Sequence, residues 1–91
     1  MRIATDIYKA GNLIWKNVIG DLEEYHDMRG IEFGVFTVEK APGMPQPSDD
    51  YELRLRDGRC RRLRSGAPDY MASRPACDGN TAYFSTIGPW I

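Results

Sequence analysis

Six arginines, Arg54, Arg56, Arg59, Arg61, Arg62 and Arg64, crowd the stretch from Tyr51 to Arg64. A guanidinium is a planar fork of donors that grips carboxylate or phosphate bidentately and stacks on aromatic rings. Such a cluster does binding chemistry rather than bond-making chemistry. Only Glu52 and Asp57 oppose it, so the segment carries +4 while the remaining residues sum to −5, for a net charge of −1. The chain reads as a basic patch on an acidic body. The plain alternative is a solvated strand face whose charge discourages edge-to-edge aggregation.

The other reactive residue types are sparse. His26 is the only histidine and sits in Glu23-Glu24-Tyr25-His26-Asp27. One imidazole with one carboxylate is too small a ligand set for a dedicated metal site. A solvated helix end, where histidine interacts favourably with the dipole, accounts for it. Cys60 and Cys77 form no C-x-x-C pair and have no histidine at zinc spacing, which points to free thiols in a reducing compartment. Alternation along a strand places Cys60 inward, away from the arginines that could activate it. Asp49-Asp50 follow prolines at a strand entrance, where turn chemistry explains them. No Gly-rich phosphate loop occurs. No catalytic constellation, metal site or cofactor is therefore expected, and an enzyme ranks below a binding protein.

Length and composition bound the rest. Ninety-one residues make one domain. A chain of this size buries only about 60–65% of its unfolded surface, which leaves little room for a deep enclosed site. With 42% hydrophobic and 27% charged residues the chain is an ordinary globular one. No apolar run approaches the ~20 residues that span a bilayer. Asp6 and Lys9 interrupt the N-terminus, so it is no signal-peptide core. A cytoplasmic protein without a membrane role is expected.

The elements that must position the arginines follow from periodicity. At about 100° per residue, Ile3, Ile7, Ile14, Val18, Leu22 and Tyr25 share one face, with Lys9, Asn12, Lys16, Glu23, Glu24 and Asp27 opposite. This predicts one long amphipathic helix from Thr5 to Met28, capped by Thr5 or Asp6 and ended by Gly30. A break at Gly11-Asn12 is the alternative. Gly11 on the apolar face implies close approach of a neighbouring backbone, and Leu13 falls on the polar face. Ile31 to Glu39 reads as a strand, with Phe33 and Val35 on one face and Phe36 and Val38 on the other. Three prolines within Ala41 to Asp50 make that segment a loop.

Tyr51 to Arg64 reads as a β-hairpin around Asp57-Gly58, a dipeptide suited to a two-residue turn with both central residues at positive φ. That turn pairs Arg56 with Arg59, Leu55 with Cys60 and Arg54 with Arg61. Strict alternation would then bury Arg62 and expose Leu63, so a one-residue bulge at Arg61-Arg62 is predicted, which sets Leu63 opposite Leu53 and Arg64 opposite Glu52. Residues 65–80 read as an irregular connection with a turn of helix at Asp69 to Ala72 and an Asp78-Gly79-Asn80 turn. Thr81 to Ile87 is the last strand, and Trp90 and Ile91 form an apolar tail packed on the domain. The expected fold is α+β: one long N-terminal helix on a three- to four-stranded antiparallel sheet, in the order α-β-β-β-β.

Two functions of different class fit this outline. The first is a protein–protein interaction module that docks on an acidic partner surface through the arginine hairpin. Small accessory or inhibitor proteins of phages and mobile elements work in this style, by occluding a host machine. The second is nucleic-acid binding with the hairpin as a basic β-ribbon, Tyr51 adding a stacking surface. The sequence pI of 5.7 weighs against it. Phe36 and Val38, or Leu13, offer a seam for a homodimer, as does the acidic helix end of one subunit against the basic hairpin of another.

Overall fold

The computed structural model describes residues 1–26, 28–29, 32–43, 45–66, 77–78 and 80–91. They fold as an all-β protein. The strands are β1 (Arg2–Lys9), β2 (Asn12–His26), β3 (Glu32–Val38), β4 (Tyr51–Arg54), β5 (Cys60–Ser65), β6 (Cys77–Asp78) and β7 (Thr81–Ile87). Their order in the sheet is β3-β2-β1-β4-β5-β7-β6, and β3 also pairs with β7. That last pairing, Val35–Ser85 through Val38–Ala82, closes six antiparallel strands into a barrel. The two-residue β6 lies against the start of β7. No helix among the described residues is long and apolar enough to cross a membrane.

The expected α+β fold with its Thr5–Met28 helix is therefore corrected. The segment is a hairpin of β1 and β2 joined at Ala10-Gly11, both at positive φ (50° and 82°). Arg2 pairs with Asp21 and Lys9 with Asn12. The false helical period has an identifiable origin. Along β1 the inward residues are Ile3, Thr5 and Ile7, but Thr5 is polar, so the apolar positions stand four apart. It is buried because its hydroxyl donates to the Arg54 carbonyl at 2.7 Å. Along β2, Trp15 and Val18 both face the core although they stand three positions apart. Thr5 pairs with Val18 and Ile7 with Trp15, so β2 carries one extra residue there, a bulge with Asn17 at φ 55°. A second register shift follows between Ile7 and Tyr8. Spacings of three and four thus arise from strands. Gly11 stands in open space, in a turn rather than against a backbone, and Leu13 is exposed.

The strand expected from Ile31 to Glu39 is β3, a central stave between β2 and β7; Phe36 and Val38, expected to offer a dimer seam, instead face inward and are buried, so they form no outer seam. Ile31, Gly30 and Asp27 lie outside the described residues, as do residues 67–76, including the proposed turn of helix at Asp69 to Ala72, and Gly79 of the last turn. The proline loop is held without regular structure. The Gln46 N–H donates to the Tyr51 hydroxyl at 2.7 Å, and the Ser65 N–H donates to the Ser48 carbonyl at 3.0 Å. Of the expected packed tail, Trp90 packs against the core while the Ile91 side chain is exposed.

The barrel interior is filled by Ile7, Val18, Leu22, Phe36, Val38, Tyr51, Leu53, Leu63, Ala82 and Phe84. Phe84 sits among the aromatics, edge-on to Tyr51 at 5.3 Å and to Trp15 at 6.0 Å. The interior leaves no room beside Gly20. A Cβ there would lie 2.6 Å from the Thr37 carbonyl oxygen and 2.7 Å from the Phe36 ring. Gly20→Ala is therefore expected to destabilise the fold by about 1–3 kcal/mol in urea unfolding, because backbone and ring must both shift. Gly43→Ala, with nothing within 4 Å of the added carbon, serves as the control and is expected to change stability by less than about 0.5 kcal/mol.

Candidate functional site

The arginine segment is a hairpin, but its tip differs from the expected two-residue turn. Leu55 donates its N–H to the Arg59 carbonyl at 2.9 Å, and Gly58 donates back to Leu55 at 3.1 Å. Residues 56–58 thus form the loop, with only Gly58 at positive φ (95°). Asp57 holds this geometry. Its carboxylate takes the Arg59 backbone N–H at 3.0 Å and the Arg59 Nε at 2.9 Å. Those bonds, the backbone one foremost, hold the Asp57 carboxyl below its ordinary range.

Sliding the turn by one residue resets the whole ladder. Tyr51 pairs with Leu63, Glu52 with Arg62, Leu53 with Arg61 and Arg54 with Cys60. The predicted bulge at Arg61-Arg62 is absent, and Arg64 does not face Glu52. β5 alternates regularly, and the arginines separate into three groups. Arg54 lies 3.9 Å over the Tyr8 ring and is bridged to Glu52, which raises its pKa. Arg59 is bridged to Asp57 and lies 5.2 Å over the Trp90 ring. These two are largely satisfied within the fold. Arg56, Arg62 and Arg64 are exposed and meet no carboxylate within bridging distance among the described residues. Arg56 Nη2 donates to the neutral Asn17 side chain at 2.9 Å, Arg62 reaches the Asp49 carbonyl at 3.5 Å, and the Arg64 side chain makes no hydrogen bond or ion pair among the described residues. Arg62 and Arg64 stand two apart on the outer face of β5, so both project to the same side.

Arg61 belongs to the interior. It is 1% exposed, beside Leu53 at one mouth of the barrel. Its Nε donates to the Gly88 carbonyl at 3.1 Å, its Nη1 donates to Glu24, and its guanidinium lies 5.5 Å from the Trp90 ring centroid. Trp90 Nε1 donates to the same Glu24 oxygen at 3.0 Å. The Ile91 and Cys60 backbones exchange hydrogen bonds at 2.8 and 3.1 Å, which fixes the tail that carries Trp90. A buried guanidinium is tolerated only when paired. Glu24→Ala leaves Arg61 unpaired and is expected to cost about 2–4 kcal/mol, lessened from a fully buried pair by Glu24's partial exposure, with a red shift of tryptophan emission. Changing Arg61→Met and Glu24→Leu together is expected to cost clearly less in the same urea titration; an equal or larger cost would remove the pairing argument.

Cys60, expected inward, is on the outer side opposite Arg54 and is half-buried and free. Its thiol pKa is pushed up, first by burial and then by its hydrogen bond with Glu52. A raised thiol pKa leaves Cys60 protonated at neutral pH, so it is no activated nucleophile. Alkylation of Cys60, followed by peptide mass spectrometry, is expected to stay slow through pH 8 and to accelerate only above the ordinary thiol range. Fast labelling at pH 7 would contradict this. The side chain of Cys77 lies outside the described atoms. His26 closes β2 opposite Glu32, on a strand rather than a helix end.

Tyr8 and Trp90 were not singled out from sequence as partners of the arginines. Tyr8 alternates outward from Ile7, a signal that only a strand reading exposes. Glu24 and Trp90 are distant in sequence from Arg61 and meet it through barrel closure. Compared with known proteins, the chain matches no family model, and neither a curated protein nor a solved structure is significantly similar to it.

Proposed function

We propose that this chain is a small non-enzymatic protein–protein interaction module that docks on an acidic partner surface through the outer face of the β4–β5 hairpin. The observation that carries this reading is the group of three exposed arginines, Arg56, Arg62 and Arg64, with no carboxylate bridging them among the described residues, on a hairpin whose other arginines are bridged to Glu52, Asp57 and Glu24. A rigid barrel presents these side chains with their backbone fixed, which lowers the ordering cost of docking. Guanidinium groups are frequent hot spots because they form bidentate, directional bonds to carboxylates. An accessory or inhibitory role of the phage type, in the cytoplasm, is the biological setting in which such a module acts.

Nucleic-acid binding by a β-ribbon draws less support from the geometry. A ribbon that enters a groove must project, whereas β4 is paired with β1 and β5 with β7, leaving only the tip at residues 55–59 beyond the ladders. Asp6, Glu52 and Asp57 also accompany the arginines. The test reverses Arg62→Glu and Arg64→Glu and leaves Arg61, which stabilises the barrel, intact. Loss of captured protein partners, with unchanged urea unfolding, is the expected result. Partners retained by the reversed protein would refute the hairpin reading. Affinity for DNA and RNA at two salt concentrations decides the second reading, and tight, steeply salt-dependent binding would favour it.

A further inference from the structure

Asn17, the bulge residue of β2, has a second role. Its side-chain oxygen accepts from Arg56, and its backbone N–H donates to Asp6 at 2.9 Å. It also lines a separate open groove of about 360 Å³ on the flank of the barrel. Three cations, Arg2, Lys16 and Lys40, line this groove against one carboxylate, Glu39. The Arg2–Glu39 pair is loose, at 3.8 Å between exposed side chains, so it neutralises little. Two of the chain's three lysines are gathered here. Between the charges lie apolar surfaces, Pro42 and an Ile19 that is 53% exposed on the outer face of β2. This outward isoleucine, which shares the groove lining with the three cations, is not part of the core. The groove therefore combines cationic surroundings with an apolar seat, and Asn17 joins it to the Arg56 side of the hairpin.

We infer that this groove is the second half of the docking surface and seats one apolar side chain of an extended acidic peptide segment, whose flanking carboxylates meet Lys16, Lys40 and Arg2. The inference rests on the acidic-partner reading for the identity of the occupant. Charge complementarity selects a carboxylate-bearing segment. The apolar seat selects a peptide over a bare anion or a phosphodiester chain, which has nothing to place on Ile19 and Pro42. The bulge supplies the geometry: an extra residue re-aims Lys16 and Asn17 toward the groove without moving the inward residues on either side.

Nuclear magnetic resonance titration of the full chain tests this with a short glutamate peptide bearing one central leucine. The expected result is amide shifts at Lys16 to Ile19 and at Lys40, weakened about tenfold by Lys16→Glu with Lys40→Glu, by Ile19→Ser, and by glycine in place of the leucine. Ile19 and both lysines are exposed, so the variants keep the fold, which circular dichroism verifies. Equal binding of the leucine and glycine peptides, or no groove shifts at low salt, overturns the inference. Shifts confined to Arg62 and Arg64 overturn it while leaving the hairpin reading standing. Groove shifts that survive Arg62→Glu with Arg64→Glu support it even where that reading has failed. An oligothymidylate that shifts the same amides more strongly than the peptide also overturns it.

Discussion

Closure of the barrel is the constraint from which the other features follow. Pairing β3 with β7 sets Phe36 opposite Phe84 and joins the first three strands to the last. A closed ring has no long free edge and gains its stability from what fills it. Here the filling is mostly aromatic and branched aliphatic, and the ring is narrow enough that β2 needs a glycine where Phe36 crosses it. Each mouth must then be stopped. At one, the Gln46 N–H of the proline loop donates to the hydroxyl of the buried Tyr51. At the other, Arg61 lies between Glu24 and the Trp90 of the tail. The second plug is polar, and it is tolerated because, among the described residues, no buried side-chain nitrogen or oxygen lacks a hydrogen-bond partner.

Closure also divides the labour among the arginines. Because β5 alternates without interruption, its odd and even positions belong to different environments. Arg61 stabilises a mouth, while Arg62 and Arg64 on the opposite face remain available to solvent. The same residue type at neighbouring positions thus serves stability in one case and the proposed recognition in the other. Arg54 and Arg59 lie between these extremes, their charge already shared with a carboxylate and an aromatic ring.

Much of the C-terminal two-thirds was legible in the sequence. The strands near Phe36, Leu53, Leu63 and Phe84 showed through β-branched and aromatic content between turn residues, and Asp57-Gly58 marked its hairpin. The tip was misplaced by one residue because the side chain of Asp57, not its backbone, decides the turn, and that bond depends on Arg59. The first third was misread because a bulge and an inward threonine reproduce helical spacing. Composition argued the other way: Ile3, Thr5, Ile7, Ile14, Val18 and Ile19 favour strands, and Gly11 and Gly20 disfavour a helix. A single surplus residue in a strand is enough to corrupt its period, while its propensities stay those of a strand. Neither the Arg61 plug nor the groove at Asn17 could be seen without the barrel, since each joins residues far apart in the chain.

The surplus residue in β2 is redundant to the interior. If Lys16 or Asn17 were missing, Trp15 and Val18 would stand two positions apart and would still both face inward. The shift between Thr5 and Ile7 would be gone, the one between Ile7 and Tyr8 would stay, and the same side chains would fill the ring. What would vanish is on the outside: the left-handed residue, its bond to Arg56 and the flank where two lysines gather. The bulge is thus an insertion that the core does not require, and the architecture separates into a barrel that specifies itself and an ornament at one of its staves that can be gained or lost without renegotiating the interior.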